Sequence, residues 1–330
     1  MIDFQDDNLT VHVGDCRDEL REIEPFSVNT CVTSPPYWGL RDYGTASWTG
    51  GDAACDHMGK PFATKASINK NTNGGNDVKN QVAREFFRER CGRCDAVRVD
   101  SQLGLEATAE EYISNMVKVF RLVASVLRDD GTVWLNLGDS YGSGKQLLGM
   151  PWRVALALQA DGWILRSEII WAKPNPMPES TSDRPTKSHE HIFLLAKSEK
   201  YYYDADAISE VAVTAGDDRG SRTDNRRGLG YNAKAAGTAI TGERRNKRDV
   251  WTVSTKPYAG AHFATFPPDL IEPCILAGAP VGGVVLDPFG GSGTTGMVAN
   301  RLGRRALLIE LNPDYAAQIK QRTAQAPLGL

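Results

Sequence analysis

Two short segments of this 330-residue chain combine residue types that are suited to chemistry. The first is Ser34-Pro35-Pro36-Tyr37, in which two consecutive prolines lack a backbone N–H and cannot continue a helix or a sheet ladder, so that backbone carbonyls are left available as acceptors. The Ser34 hydroxyl adds an acceptor, and the Tyr37 ring offers a face on which a planar base can stack. The segment is therefore suited to hold an amino group attached to an aromatic base.

The second segment, residues 287–295, is rich in glycine. Residues 284–286 before it predict a short strand, and residues 294–300 predict the start of a helix. Glycines let the backbone approach a ligand closely, and the N–H groups at the start of a helix receive negative charge. Its Gly-x-Gly-x-x-Gly pattern also occurs in dinucleotide-binding enzymes, so this segment alone leaves a nicotinamide-dependent oxidoreductase open.

The predicted strands bring the two segments to the same edge of a sheet. Residues 28–33 predict a strand that ends directly before Ser34, and residues 306–309 predict another that ends before Glu310. Open α/β sheets bind ligands at the carboxyl ends of their strands, and an acidic residue in the position of Glu310 can bind the hydroxyl groups of a ribose. An oxidoreductase would leave the amine-holding segment without a purpose, and this favours an enzyme that modifies a base.

In these residues and their order, the chain resembles the β group of DNA amino-methyltransferases, which use S-adenosylmethionine to methylate N6 of adenine or N4 of cytosine. Residues 33–37 match the catalytic motif and residues 287–295 match the cofactor motif, in the circularly permuted order of this group. Further matches are Gly14-Asp15-Cys16 and residues 134–139, 171–176, 262–267 and 309–312. The resemblance implies an α/β fold, a Rossmann-like methyltransferase sheet with helices on both faces.

The resemblance also implies a role for each matched residue. The target nucleotide would be flipped out of the duplex, with Tyr37 stacking on the base and Ser34 and the Pro35 carbonyl gripping its amine. Asp15 would bind the adenine of the cofactor, and Glu310 its ribose. The other expected cofactor contacts are His262, Phe263, Thr265, Asp287, Gly290, Gly291, Ser292, Gly293, Thr294, Thr295 and Asn312. Pro36 completes the catalytic segment, and Trp38, Trp171, Lys173 and Asn175 would border the base pocket.

The identity of the methylated base stays open at this point. Serine at the first position of the motif is commoner among the N4-cytosine enzymes of the family, whereas the N6-adenine enzymes usually carry aspartate there. Ser34 therefore favours N4 of cytosine. Both amines can be held by the same acceptors, and the size of the pocket decides between them.

Residues 41–101 interrupt the α/β pattern with a polar insertion that contains Cys55, His57, Cys91 and Cys94. A Cys-x-x-Cys pair supplies two thiolates, and the distant Cys-x-His pair completes a tetrahedral zinc site. The alternative is a set of free thiols in a loop. Because the insertion has little apolar content from which to form a core, we expect a structural zinc ion.

Residues 204–250 form a second insertion, in the position of the family's target-recognition region. Residues 216–250 carry nine Lys/Arg against five Asp/Glu. Arginine can neutralise phosphate or pair with guanine, although each of these side chains could equally be an ordinary solvated charge. The candidate DNA contacts are Arg226, Arg227, Arg244, Arg245, Lys247 and Arg248.

Composition agrees with one catalytic domain over residues 1–330 that contains both insertions. The formal charge of -3 gives no global sign of a polyanionic partner, so that a surface for double-stranded DNA must be local. No apolar run reaches membrane-spanning length and no signal peptide is visible, so we expect a cytoplasmic protein without a membrane partner. The resemblance is compatible with a homodimer and with a cognate restriction endonuclease.

A scaffold helix is predicted after the first insertion. Thr108 and Glu111 have the spacing of a capping box, and the helix is expected to run to about Leu127. Its apolar positions at helical spacing are Tyr112, Met116, Val119, Phe120 and Val123. Residues 131–137 predict the strand that follows.

Other patterns also predict structural roles. Residues 142–145 resemble part of a phosphate-binding loop but lack its hydroxyl residue, and Cys274 lies in an apolar helix-like run. His189 and His191 lack a third metal ligand at a recognisable spacing. A zinc-dependent DNA-binding protein with a decayed methyltransferase core would retain the cysteines and arginines, but the intact motifs argue against it.

Overall fold

The computed structural model describes residues 2–40, 43, 45–57, 90–212, 244–255 and 266–324. In chain order their main elements are β1 (Ile2–Gln5), β2 (Leu9–Val13), α1 (Cys16–Glu19), β3 (Val28–Thr33), β4 (Ser47–Thr49), β5 (Val97–Val99), α2 (Ala109–Val126), β6 (Leu127–Leu137), α3 (Met150–Ala160), β7 (Ile164–Ala172), β8 (His189–Ala196), β9 (Glu210–Val211), β10 (Arg244–Arg245), β11 (Val250–Thr252), α4 (Pro268–Gly278), β12 (Val284–Asp287), α5 (Thr294–Arg301), β13 (Arg305–Glu310) and α6 (Pro313–Ala324).

Nine of these strands form one mixed sheet in the order β1-β2-β13-β12-β3-β6-β8-β7-β11. The five strands from β2 to β6 in this order are parallel to one another. Strand β8 is antiparallel to both β6 and β7, and β1 is antiparallel to β2 at one edge. Two small ribbons, β4 with β5 and β9 with β10, lie outside this sheet.

Helices cover both faces of the sheet, as the sequence predicts. One core contains Leu20, Phe120 and Leu158 from the α1, α2 and α3 regions, whereas the other contains Ile271 from α4 and Val298 from α5. Strands that are buried on both faces are usually apolar throughout, and residues 284–286 of β12 follow this rule. Strand β3 is also buried but contains Thr30 and Thr33, whose hydroxyls have hydrogen-bond partners in Thr132 and Asp287.

Helix α2 begins at a capping box in which the Thr108 side chain accepts from the Glu111 backbone and the Glu111 side chain accepts from the Thr108 backbone. This arrangement satisfies two N–H groups that would otherwise lack partners at the start of the helix. The apolar positions predicted from the sequence all face the core, and they are Tyr112, Met116, Val119, Phe120 and Val123. The helix and its scaffold role are confirmed.

The cysteine, glycine-rich and histidine patterns for which we predicted structural roles contact other protein groups. Cys274 is 1% exposed within α4, and a short 3-10 turn at Ser143–Lys145 places Lys145 in an ion pair with Asp183. The Nδ1 atom of His191 lies 2.6 Å from the Glu168 carboxylate. No helix among the described residues is long and apolar enough to cross a membrane.

The topology opens a crevice between β12 and β3, which are neighbouring parallel strands. From β12 the chain passes through α5 to β13, whereas from β3 it passes through α2 to β6, and these two connections pack on opposite faces of the sheet. Diverging connections of this kind leave room for a ligand at the carboxyl ends of the two strands.

Candidate active site

A cavity that is open to solvent, with about 850 Å³ of empty space including its mouth, lies at the carboxyl ends of β2, β3, β12 and β13. Both segments predicted from the sequence line it, which places the amine-holding and glycine-rich segments in one site. The lining residues are Gly14, Asp15, Cys16, Ser34, Pro36, Tyr43, Thr45, Ser101, Gln102, Leu103, Phe266, Asp287, Pro288, Phe289, Gly290, Gly291, Ser292, Thr294, Glu310, Leu311 and Tyr315.

The glycine-rich segment is a tight turn between β12 and α5. Gly293 has a φ of 78° and directly precedes α5, and a Cβ atom on it would lie 2.9 Å from the Ile319 side chain. The Gly293 N–H donates to the Gly290 carbonyl over 2.8 Å, and the Gly290 N–H donates to the Ile309 carbonyl over 2.7 Å. Only glycine adopts this backbone readily, and the turn thereby holds its backbone against the cavity.

Glu310 is fixed by the backbone of its own surroundings. Its Oε2 accepts from the Gly291 N–H over 2.7 Å, and its Oε1 accepts from the Asn312 N–H over 2.8 Å. Burial raises the pKa of Glu310 to about 7, against the effect of these two hydrogen bonds. A carboxylate oxygen accepts more than one hydrogen bond, so both oxygens retain capacity for ligand hydroxyl groups.

Asp287 connects the two predicted segments. Its carboxylate accepts from the Thr33 hydroxyl over 2.6 Å, from the Thr295 hydroxyl over 2.7 Å and from the Phe289 N–H over 3.1 Å. The residue is 2% exposed, and this burial raises its pKa to about 6. Because Thr33 directly precedes Ser34, Asp287 fixes the amine-holding segment against the glycine turn.

Asp15 lines the cavity and has a partner that the sequence analysis did not anticipate. It caps α1 by accepting from the Arg17 N–H over 2.9 Å, and it forms an ion pair with the Arg17 guanidinium. Burial opposes the charged form of Asp15, but these Arg17 contacts prevail and lower its pKa. The expected adenine contact therefore comes from an ionised side chain whose position is already fixed.

The other predicted cofactor residues fall into three groups. Ser292 and Thr294 line the cavity and bind the Arg322 guanidinium. Thr295 lies behind it with its hydroxyl on Asp287, while Asn312 donates to the Tyr43 carbonyl over 3.3 Å. His262, Phe263 and Thr265 lie outside the described residues.

Residues 34–37, the amine-holding segment, contain two proline carbonyls with different surroundings. The Pro36 carbonyl accepts from the Tyr112 hydroxyl over 3.0 Å. By contrast, no residue within the described ranges donates to the carbonyl of Pro35. The Ser34 Oγ lies 3.3 Å from the Tyr37 hydroxyl and 3.3 Å from the Asn136 Nδ2. The two acceptors expected from the sequence thus belong to adjacent residues.

A buried network around Glu190 supports this segment. Its Oε2 accepts from the Tyr37 hydroxyl over 2.7 Å and from Asn136 over 3.0 Å, and its Oε1 binds the Lys173 ammonium. Burial alone would raise the pKa of Glu190, but Lys173 and these hydrogen bonds hold it below its ordinary value. Burial, reinforced by the Glu190 charge, raises the pKa of Tyr37. Glu190 is thus a carboxylate beside a neutral tyrosine.

Glu190 and Asn136 are absent from the residues predicted by the sequence analysis. Asn136 lies within the matched residues 134–139, which was a usable signal. Glu190 lies between two histidines at the start of β8, where the alternation of side chains indicates only a strand. Its partner Tyr37 is 153 residues away in the chain, so no local pattern could associate them.

The predicted base-pocket residues are held by different contacts. The Trp171 indole donates to the Val253 carbonyl over 2.8 Å, and the Lys173 ammonium lies 4.2 Å from its ring centre. The Trp38 indole donates to the Glu106 carbonyl over 2.9 Å. Asn175 exchanges hydrogen bonds with the Thr255 backbone, which occupies both ends of its amide. Lys173 is the predicted member that binds the catalytic network directly.

The described arginines of the second insertion already have protein partners. Arg244 donates to the Ser209 hydroxyl over 2.7 Å, while Arg245 and Arg248 both bind Glu210. Lys247 lies 5.1 Å from the ring centre of Trp251. Arg226 and Arg227 lie outside the described residues.

The four predicted metal ligands come together. The ligand atoms of Cys55, His57, Cys91 and Cys94 all lie within 4.8 Å of one another, and none of the three cysteines forms a disulfide. Two of the ligands follow β4 and two precede β5, so the β4–β5 ribbon carries the cluster.

Sequence comparisons place these features in a known family. The family model described as DNA methylase, of the N6/N4 methyltransferase class, matches residues 28–321. The chain is 39% identical to the Type II methyltransferase M.Cfr9I of Citrobacter freundii, over 93% of this chain and 84% of that protein. It is 38% identical to the Type II methyltransferase M.SmaI of Serratia marcescens, over 94% of this chain and 89% of that protein.

Comparisons with solved structures agree on the fold. The PvuII DNA methyltransferase (cytosine-N4-specific) superposes with a TM-score of 0.61 at 18% identity, covering 96% of this chain and 86% of that chain. A Thermus thermophilus protein described as a DNA modification methylase, complexed with S-adenosyl-L-methionine, gives a TM-score of 0.55 at 23% identity, covering 98% and 97%. The predicted Rossmann-like fold is confirmed, and the chain belongs to the N6/N4 DNA methylase family as an S-adenosylmethionine-dependent DNA amino-methyltransferase of the β group.

Proposed function

We propose that this site-specific DNA amino-methyltransferase acts on N4 of cytosine. The observation that carries the proposal is the chemistry of the amine-facing position, which is the neutral hydroxyl of Ser34. The nearby carboxylate of Glu190 is already paired with Lys173. A serine in this position is typical of the N4-cytosine enzymes that the chain resembles, whereas an aspartate is typical of the N6-adenine enzymes.

The hydrogen-bond chain from Ser34 to Glu190 prepares Ser34 as an acceptor. The Ser34 hydroxyl donates to the Tyr37 hydroxyl over 3.3 Å, and the Tyr37 hydroxyl donates to Glu190 over 2.7 Å. Both protons are thus directed toward the buried carboxylate. One lone pair of the Ser34 hydroxyl accepts from the Asn136 Nδ2 over 3.3 Å, and the second lone pair remains for a substrate. The Pro35 carbonyl, which has no donor within the described ranges, supplies the second acceptor.

In the proposed mechanism, the target cytosine is flipped from the duplex and stacks on the Tyr37 ring. Ser34 and the Pro35 carbonyl accept the two amino hydrogens, which draws the nitrogen lone pair out of conjugation with the ring. S-adenosylmethionine supplies the methyl group: the new N–C bond forms as the S–C bond breaks, and the bonding pair stays on sulfur. Holding the amine in line with the methyl carbon contributes much of the rate. The nitrogen loses its extra proton to solvent after transfer.

Asp287 and Glu310 would hold the two substrates at a fixed separation. Glu310 would bind the ribose hydroxyls, and the glycine turn would receive the methionine portion of the cofactor. Through Thr33 and Thr295, Asp287 joins this turn to the segment that holds the amine. Proximity catalysis requires such a fixed arrangement.

The experiment is single-molecule sequencing of host DNA after expression of the full chain, together with nucleoside analysis by mass spectrometry. We expect N4-methylcytosine within one recurring sequence, and a much smaller fraction of methylated sites in cells that express Ser34→Ala. Detection of N6-methyladenine instead would show that the base assignment is wrong. Wild-type methylation that Ser34→Ala fully retains would contradict the role of the catalytic segment.

The insertion at residues 204–250 is the proposed target-recognition region. Its described arginines lie on or beside the β9–β10 ribbon, where Glu210 holds Arg245 and Arg248. Phosphate groups would compete with Glu210 for these guanidinium groups. Arg245→Ala and Arg248→Ala should therefore weaken DNA binding and reduce its dependence on salt, measured by fluorescence anisotropy. A cognate restriction endonuclease and a homodimer are the further proposed partners, supported by the resemblance to β-group enzymes.

The Cys55, His57, Cys91 and Cys94 cluster is proposed to hold one structural zinc ion. Two zinc–thiolate bonds of about 2.3 Å at a tetrahedral angle separate their sulfur atoms by about 3.8 Å. The Cys55 and Cys91 sulfurs are 3.8 Å apart, and the Cys94 sulfur lies 3.4 Å from the His57 Nδ1. The Arg93 N–H points at the Cys91 sulfur over 3.5 Å, an interaction that supports a thiolate ligand.

A further inference from the structure

The β4–β5 ribbon connects the metal cluster with the cofactor cavity. Its three residue pairs are Ser47 with Val99, Trp48 with Arg98 and Thr49 with Val97. Beyond the Thr49 and Val97 end lie the four metal ligands. Beyond the opposite end lie Tyr43, Thr45 and residues 101–103, which line the cavity. Three pairs of residues therefore separate the metal cluster from the cofactor cavity.

At the cavity, hydrogen bonds connect the segment before β4, residues 43–45, with the segment after β5, residues 100–102. The Thr45 hydroxyl donates to Asp100 over 3.0 Å, and the Tyr43 N–H donates to the Gln102 side chain over 2.7 Å. Asp100 also pairs with Arg98, and both side chains of this pair are only 11% exposed. The segment before β4 and the segment after β5 thus form one wall of the cavity, and displacement of one segment would displace the other.

This wall also supports a predicted cofactor contact. The Arg17 guanidinium donates to the Ser101 carbonyl over 2.8 Å while it pairs with Asp15. Asp15 is the side chain expected to bind the adenine of the cofactor. A shift of the ribbon would therefore move Ser101, and through Arg17 it would move Asp15, the proposed contact of the adenine.

At the metal end, little besides the ligands holds the ribbon within the described part of the chain. Val97 is 38% exposed, and the Arg93–Asp56 and Arg90–Asp95 ion pairs are exposed, so these contribute little stabilisation. The Trp48 ring stacks on His57 at 5.1 Å, which makes this contact dependent on the position of a metal ligand. A two-stranded ribbon of this length is marginal by itself in water. Metal binding supplies folding free energy in such small units.

We propose that zinc bound by Cys55, His57, Cys91 and Cys94 sets the affinity of the enzyme for its cofactor, because it orders the ribbon that forms one wall of the cofactor cavity. The inference rests on the zinc occupancy proposed above. Thermodynamic linkage makes the coupling reciprocal: a cofactor that requires the ordered ribbon also retains the metal. No residue of the two ribbon strands belongs to either core of the sheet and its helices, so the loss of the ribbon should leave this packing intact.

The test uses the full chain and S-adenosylhomocysteine as the probe of the cofactor site. Zinc content is measured by inductively coupled plasma mass spectrometry, and the Kd of the probe by calorimetry. The variant is Cys91→Ser combined with Cys94→Ser, and the matched control is Cys274→Ala, which alters a buried cysteine in α4 outside the cluster. We expect one zinc per chain in the wild type and the control and none in the double variant. The double variant should bind the probe at least tenfold more weakly, with its main circular dichroism unfolding transition retained.

A second measurement avoids any effect of the substitutions on folding. Zinc release from the wild-type enzyme to a chromogenic chelator is followed with and without saturating S-adenosylhomocysteine. We expect the probe to slow release several-fold, and zinc added back to the stripped protein to restore probe binding.

The outcomes separate this inference from the proposals on which it rests. Wild-type protein without zinc would overturn the occupancy and the coupling together. One zinc per chain with a Kd changed less than twofold in the double variant, and release unaffected by the probe, would overturn the coupling alone. A Kd weakened equally in Cys274→Ala would also overturn it. Failure of the catalytic proposal would instead appear as intact probe binding without DNA methylation.

Discussion

The two halves of the cavity are constructed in different ways. On the cofactor side, several contacts lie within one contiguous stretch, residues 287–310: Glu310 accepts from the Gly291 backbone, and Asp287 accepts from Thr295 and from the Phe289 backbone. On the target side, Tyr37, Asn136, Lys173 and Glu190 come from four separate parts of the chain and meet around a buried charge. The first half depends on local backbone conformation, and the second depends on long-range electrostatics.

This difference predicts different consequences of substitution. Removing a side chain on the cofactor side takes away a ligand contact but leaves a self-supporting turn. Removing a charged member of the target side leaves its partner buried without compensation, which costs more than the pair contributes. We therefore expect the target side to be the more sensitive half in stability and turnover, and the cofactor side to determine the binding constant.

The largest expected effect is that of Glu190→Ala on stability. Lys173, with a side chain 17% exposed, would lose its counter-charge, and the free energy of unfolding should fall by roughly 3 kcal/mol. Equilibrium unfolding in urea measures this quantity. Glu190→Gln combined with Lys173→Met removes both charges and should recover most of the loss. A loss below about 1 kcal/mol for Glu190→Ala would mean that the target side is not held by this charge pair.

The next effect is that of Ser34→Ala on turnover. Loss of one acceptor at the amine should reduce methyl transfer by about 100-fold, while the Kd of S-adenosylhomocysteine stays within about twofold. Single-turnover incorporation of a labelled methyl group measures the step. Ser125→Ala, an exposed serine on α2, is the matched control and should be silent. A parallel loss of cofactor affinity in Ser34→Ala would erase the distinction between the two halves.

Glu310→Ala should have the opposite profile. It removes the proposed acceptor for the ribose and should weaken cofactor binding by about 30-fold, or roughly 2 kcal/mol, with turnover at saturating cofactor changed only slightly. Calorimetry and steady-state kinetics separate the two parameters. Glu272→Ala, which removes a glutamate of an exposed ion pair, serves as the control. Undiminished affinity in Glu310→Ala would remove Glu310 from the cofactor site.

The smallest expected effect is the pH dependence of cofactor affinity. Because the pKa of Glu310 is about 7 in the cofactor-free protein, its carboxylate form predominates above pH 7 and declines below it. In the proposed contact the carboxylate is the form that accepts from the ribose hydroxyls, so the Kd should rise by up to about tenfold between pH 8 and pH 6. The same titration by calorimetry with Glu310→Gln should give a nearly flat profile. A wild-type profile that is equally flat would show that protonation of Glu310 does not govern binding.

The sequence predicts those elements whose signals are local. Three predicted elements agree with the structure: the Thr108 capping box, the strand before Ser34 and the strand before Glu310. In each case the residues that carry the pattern lie within or directly beside the element. The start of β6 differs, because Asp129 and Asp130 have the polarity of a loop but belong to a strand that begins at Leu127. A strand can tolerate such residues where it leaves the core.

The network on the target side lay beyond sequence reasoning for a physical reason. A buried glutamate is recognisable by the charge that neutralises it, and Lys173 and Glu190 become neighbours only through the pairing of β7 with β8. Arg17 illustrates the same limit on the cofactor side, since its two partners are Asp15 nearby and Ser101 across the cavity wall. Contacts of this kind follow from topology rather than from spacing.

The bridge from Thr33 through Asp287 to Thr295 has a consequence for how this enzyme can evolve. A change in target preference alters the surroundings of Ser34, yet the bridge keeps the residue beside it in register with the glycine turn. The base pocket can therefore change while the distance between the methyl group of the cofactor and the target amine stays the same. The same bridge limits insertions. A longer glycine turn after Asp287, or a longer segment after Thr33, would move Ser34 out of register with that turn. Sequence variation is therefore better accommodated in insertions remote from the bridge, such as residues 41–101 and 204–250.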